Sequence, residues 1–100
     1  MKITADVRIN PVQHLERGAP MVAGHMDEFD RAGLETHAHA MGINVSGEAE
    51  TFFETLWKVI GEFHEDGTDR VFTTIVIESR ASTPPSIKEK IESIHKHRAG

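Results

Sequence analysis

The chain has 100 residues, the length of one domain with room for a single core, and its 16 acidic residues against 11 lysines and arginines leave a formal charge of −5. That balance argues against a protein that tracks nucleic-acid phosphates and supplies no basic stripe for an anionic membrane; a neutral or cationic ligand suits it better. The absence of cysteine excludes thiol catalysis, thiolate metal sites and disulfides.

The opening MKITADVRIN holds no apolar run long enough for a signal peptide or a membrane span, so a cytoplasmic protein forming a single domain over residues 1–100 is expected. Residues 2–10 alternate, with Ile3, Ala5, Val7 and Ile9 on one face and Lys2, Thr4, Asp6 and Arg8 on the other, which predicts a half-buried strand. Asn10-Pro11 ends it, and a connector leads to Pro20, where a proline fits the first turn of a helix. Met21, Val22, His25, Met26 and Phe29 then recur at three- and four-residue steps up to Gly33, an amphipathic helix with a glycine stop.

Residues 34–41 alternate again, placing Leu34, Thr36, Ala38 and Ala40 opposite Glu35, His37, His39 and Met41. Gly42 and Gly47 bracket a short third strand, and the two strands are expected to pair antiparallel through a joint near Met41-Gly42 that no Asn-Gly or Asp-Gly marks. Glu48 to Asp66 reads as a helix whose core stripe is Phe52, Leu56, Val59, Ile60 and Phe63, widened by Phe53 and Trp57 and ended by Gly67. RVFTTIVIES, residues 70–79, is the clearest strand, and it is apolar on both faces. Ser82 to Ser86 stops the sheet and caps a last helix carrying Ile87, Ile91 and Ile94, whose basic end from His95 to Arg98 suits the negative helix pole.

The order is β-α-β-β-α-β with an extra C-terminal helix, an α+β, ferredoxin-like sandwich of two helices on a four-stranded antiparallel sheet. One sheet face is then expected to be open. It carries Asp6, Arg8, His37, His39, Asn44, Ser46, Phe72, Thr74 and Val76, and apolar Phe72 and Val76 among polar neighbours predict that sheets of two subunits associate there.

Chemistry is sparse. His37 and His39 project from one strand face at a spacing suited to a metal ion, yet nothing selects a third ligand among His14, His25, His64 and Asp6, and surface or interface histidines are the simpler reading. The carboxylates cluster on the second helix as a solvated face. No serine lies in a nucleophile elbow, and no Lys-Ser or Lys-Thr follows Gly47 to make a phosphate loop. Asp6, in mid-strand on the open face, is able either to neutralise a cationic ligand or to pair with Arg8. Phe53 and Trp57 offer a flat wall for a heterocycle, or simply core and interface packing.

Met41-Gly42, Gly47-Glu48, Ile60 to Glu65, Gly67, Arg70-Val71, Thr73-Thr74 and Ile75 to Arg80, with Ala5-Asp6-Val7 and Pro11 more weakly, carry a resemblance to the YkoF-like thiamine-binding family. The resemblance implies the same ferredoxin-like fold, subunits joined through their sheets as homodimers or dimers of dimers, and binding of thiamine or its hydroxymethylpyrimidine part without catalysis or a required cofactor. Two departures stand out. Ile43-Asn44-Val45-Ser46 replaces a Thr-x-Ile/Val-Glu run, and Pro11-Val12-Gln13-His14 replaces a Pro-x-Gly-Thr turn, so polar groups differ where a ligand would make contact.

The expectation is a non-enzymatic homo-oligomer that binds thiamine or a related aminopyrimidine. Asp6 would face the thiazolium cation, Asn44, Ser46 and Thr74 would hydrogen-bond the pyrimidine edge, and Met41, Phe72 or Trp57 would pack on a ring. The alternatives are an assembly module whose open face binds another chain with no ligand, and a metal site at His37 and His39.

Overall fold

Four strands and three helices follow one another in the computed structural model, which describes residues 1–12 and 18–98. They are β1 (Lys2–Pro11), α1 (Gly18–Arg31), β2 (Glu35–His39), β3 (Gly42–Glu48), α2 (Ala49–Glu65), β4 (Val71–Ser79) and α3 (Ile87–Arg98). The strands form one antiparallel sheet in the order β2-β3-β1-β4, the ferredoxin-like arrangement. Gln13 and His14, within the turn that departs from the family pattern, lie outside the described residues.

Alternation in β1 translates directly into layers: Ile3, Ala5, Val7 and Ile9 are buried, while the residues between them are half-buried on the other face. α1 and α2 cover the buried face, bringing Phe29, Phe52, Leu56 and Val59 onto Val7 and Val45. Phe29 and Phe52 stack across the helix pair with centroids 5.9 Å apart.

Both helices stop in the same way. The Gly33 N–H bonds to Asp30 O and Leu34 N–H to Phe29 O, and after α2 the Gly67 N–H bonds to His64 O and Thr68 N–H to Phe63 O. Each glycine takes a positive φ, 86° and 92°, and each pair closing the turn, Leu34 on Phe29 and Thr68 on Phe63, is buried. β1 runs one residue further than the alternation suggests, because Pro11 pairs with Val71 at the very end of the ladder, where a strand tolerates a missing N–H.

Two features differ from a sandwich with one bare face. α3 lies on β2 and β3, and its start is fastened to the polar side of the sheet. Glu35 on β2 accepts from the N–H groups of Ile87 and Lys88 at 2.9 and 3.2 Å, while Lys90 Nζ donates to Glu78 of β4 at 2.6 Å. Ser86 and Glu89 complete a reciprocal capping box, with Glu89 N–H on Ser86 Oγ and Ser86 N–H on a Glu89 oxygen. The open face is therefore reduced to the half that carries Asp6, Arg8 and their neighbours.

The second difference is β4. It is an edge strand whose helix-side residues Val71 and Ile75 are only partly buried against the core, and Phe72 and Val76 on one side and Ile77 on the other are exposed, at 55%, 64% and 41%. Among the described residues no helix is long and apolar enough to cross a membrane.

Candidate functional site

Strand register sets the site. Across the polar face, His37 pairs with Asn44, Asn44 with Asp6, and Asp6 with Val76, forming one row of four residues from four strands. In the adjoining rows Ser46 stands opposite Thr4, Arg8 opposite Thr74, and Asn10 opposite Phe72. Asp6, Asn44, Ser46, Phe72 and Thr74 thus share the face, with Ser46 nearest α3 and hydrogen-bonded to Thr4 at 3.4 Å.

Asp6 is engaged at both oxygens. His39 Nε2 lies 2.7 Å from Oδ1, and Arg8 Nη2 donates to Oδ2 at 3.3 Å. The other ring nitrogen of His39 accepts the Met41 N–H at 3.1 Å, so that nitrogen carries no proton and the Nε2–H donates to the carboxylate. His39 therefore holds the β2–β3 turn at one end and Asp6 at the other.

Gly42 makes this crossing feasible. A Cβ on Gly42 would stand 2.7 Å from Val7 O, 3.0 Å from Arg8 Cγ and 3.5 Å from His39 Cε1, so only a glycine leaves room for the ring and the guanidinium to meet over β3. Among the described residues Arg8 Nε is buried without an acceptor.

Beside this trio a cleft of about 290 Å3 opens at the end of the sheet, walled by Arg8, Asn10, His39, Met41 and, from α1, Met21 and Val22. Its size falls at the lower end of small-molecule sites, roughly 300 Å3 upward. Met41 is 67% exposed at its mouth. Phe72 lies further along the face, beneath the Arg70 guanidinium at 5.2 Å from the ring centre.

Trp57 is not part of this group. It stands 64% exposed on α2, in the layer across the sheet from Asp6. His37 is exposed on the edge strand and shares a face with His39, but both His39 nitrogens are already hydrogen-bonded. Among the described residues no three His, Asp or Glu side chains gather as a metal ion requires, and His14 is outside them.

Sequence reasoning placed Asp6, Arg8 and His39 on one face but not in one cluster. The diagonal bond from His39 to Asp6 passes over a glycine whose significance no local pattern reveals. The groove between α1 and α2, lined by His25, Glu28 and Glu62, left no signal at all, since Glu62 reads as solvated surface and His25 as part of an apolar stripe.

A family model described as thiamine-binding protein matches residues 5–95. No curated protein matches the chain. Among solved structures, a hypothetical protein from Methanocaldococcus jannascii superposes with a TM-score of 0.79 at 22% identity, covering 95% of this chain and 97% of its own. A candidate thiamine biosynthesis/salvage protein from Thermotoga maritima gives 0.74 at 17% identity over 94% and 99%. A domain of unknown function from Bacillus cereus gives 0.72 at 21% over 91% and 88%. At such identities these structures establish the fold.

Proposed function

The chain belongs to the thiamine-binding protein family, and from that premise we propose that it is a non-enzymatic, cytoplasmic binder of thiamine or a related aminopyrimidine. The observation that carries the reading is the Asp6–His39–Arg8 trio, two members of which, Arg8 and His39, line a cleft of about 290 Å3. Asp6 supplies negative charge toward a thiazolium, and the bond from His39 together with the Arg8 pair fixes its orientation before the ligand arrives, which lowers the ordering cost of binding. Asn44 and Thr74 flank it with donors and acceptors for the pyrimidine edge, Ser46 extends that row, and Met41 and Phe72 pack against a ring. Arg8 Nε offers a further donor for a ring nitrogen. No cofactor is needed for such a role.

Thermal unfolding tests it. Ligand held at about a hundred times its Kd adds roughly 2.7 kcal/mol to the folded state, a rise of more than about 10 °C for a chain this long. Saturating thiamine and hydroxymethylpyrimidine that both leave the transition unmoved would remove the reading.

A second reading is favoured by β4, whose exposed Phe72, Val76 and Ile77 and free edge suit a subunit contact. We propose a homodimer, or a dimer of dimers, in which Phe72, Val76, Ile77 and Trp57 are covered by another copy. In the pure assembly version of this reading the contact is the whole function, and thiamine-like compounds leave stability unchanged.

A further inference from the structure

The cleft at the end of the sheet is one-sided in charge. Among the described residues its polar lining is Arg8, Asn10, His25 and His39, and no Asp or Glu contributes to it. Asp6 stands in the next row of the polar face, with His39 on one oxygen and Arg8 on the other. Its charge is matched where it stands, and it forms no part of the cleft wall.

The Arg8 guanidinium is under-used. An arginine has five N–H donors; among the described residues one of them, on Nη2, is bonded, to Asp6 at 3.3 Å, and the enclosed Nε has no acceptor. Such a fork matches two oxygens of one phosphate group. Both His39 nitrogens are taken, which leaves Arg8 and the Asn10 amide as the donors that the polar face brings to the cleft. Met21 and Val22 bring the N-terminal turns of α1 to the same cleft, and that positive helix pole has no acid in its first turn. The formal charge of −5 opposes an anion only at a distance. At physiological ionic strength such a field decays within about 8 Å, whereas the guanidinium meets its ligand directly.

We propose that the ligand of this cleft is a phosphate monoester of the thiamine or aminopyrimidine class, with the phosphoryl oxygens on Arg8 and Asn10 and a ring against Met21, Val22 and Met41. The inference rests on the binding role proposed above and narrows its ligand. A phosphoryl group gives the spare N–H groups the acceptors they lack, while the free alcohol brings one oxygen and no charge to the same fork. In thiamine monophosphate a cation and an anion belong to one molecule, and the neighbouring Asp6 and Arg8 answer one each.

The test is a calorimetric titration of the full chain with two pairs, hydroxymethylpyrimidine against its phosphate ester and thiamine against thiamine monophosphate, with inorganic phosphate as a further probe. The expected result is an affinity about tenfold higher for the ester than for the alcohol in at least one pair, and several-fold weaker binding of inorganic phosphate than of that ester. Arg8→Gln brings the ratio of ester to alcohol close to one. Amide NMR of the parent chain places the phosphate without relying on the fold of a variant: shifts that the ester causes and the alcohol does not are expected at residues 8–10 and 39–42. Alcohols that bind as tightly as their esters in both pairs overturn the proposal and leave the thiamine reading standing, whereas silence from all four compounds overturns both. A preference that folded Arg8→Gln retains, ester-specific shifts elsewhere in the chain, or inorganic phosphate that binds as tightly as the esters also overturns it.

Discussion

His39 Nε2 lies 2.7 Å from Asp6 Oδ1, joining β2 to β1 across the intervening β3. Because Nδ1 takes the Met41 N–H, one imidazole ties the turn to the carboxylate. His39→Ala removes both bonds and is expected to destabilise the fold by about 1 kcal/mol, since a hydrogen bond to a charged group contributes roughly 1.5–3 kcal/mol when protected and less where water reaches it. For a chain of this length that is a fall of about 4–8 °C in Tm. Asp6→Ala is expected to cost more, because it also leaves Arg8 unpaired. Unchanged thermal midpoints for both variants would contradict the pairing.

Gly42 and Gly47, the bracketing glycines of β3, are both positions where a neighbour occupies the space of a side chain. At Gly42 the obstacle is Val7 O at 2.7 Å, which belongs to backbone and cannot yield without disturbing the β1–β3 ladder. At Gly47 it is the Leu34 side chain at 2.5 Å, in the core. Gly47→Ala is expected to cost roughly 1–3 kcal/mol as an overpacked position. Gly42→Ala is expected to cost a similar amount and in addition to displace Arg8 and His39, so it should weaken ligand binding where Gly47→Ala does not. Chemical denaturation and ligand titration of the two variants provide the comparison.

The uncovered edge of β4 gives a prediction about assembly. Placing a charge at an apolar edge position, as in Val76→Lys or Ile77→Lys, blocks association between strands while leaving the core untouched, since neither residue belongs to the buried core of the single chain. Sedimentation equilibrium should report a larger species for the parent chain and the monomer mass for the variants. A parent chain that is monomeric at micromolar concentration rules the contact out.

Stability should respond to pH through the α1–α2 groove, and the two groups act in opposite directions. Burial holds His25 below its usual 6.5 against the charge of Glu62. The folded chain therefore binds fewer protons there than the unfolded one, and stability falls as pH drops below about 6.5. Glu28 is raised from its usual 4.5, by burial first and then by Glu62. Its contribution is full below about 4.5 and is lost as pH rises through the raised value. Asp27, Arg31, Lys58 and Asp66 are the other charged groups about this groove. His25→Gln is expected to flatten the acid-side fall in Tm, and Glu28→Gln to remove the loss on the rising side. Identical Tm–pH profiles for the parent and both variants would contradict this account.

The architecture was legible because its signals are local and repeated. β1 alternates without exception, the α2 stripe faces one way, and Gly33 and Gly67 mark two helix ends that close with the same pair of hydrogen bonds. Ser86 likewise announced the start of α3, though not where α3 would lie. That depends on Glu35 and Glu78, acids of the two edge strands, which look like ordinary surface until the register brings them to one end of the sheet. The site was legible only as a list of residues on one face. Its geometry depends on a diagonal crossing over Gly42, and the α1–α2 groove depends on helix packing, and neither leaves a trace in residue spacing.

The most direct measurement is a calorimetric titration of the parent chain and of Asp6→Asn with thiamine and with hydroxymethylpyrimidine. The account predicts saturable heat for the parent with at least one of the two ligands, and an affinity for thiamine at least tenfold weaker in the variant, about 1.4 kcal/mol. No heat from the parent at millimolar ligand, or an affinity that Asp6→Asn leaves unchanged, would contradict it.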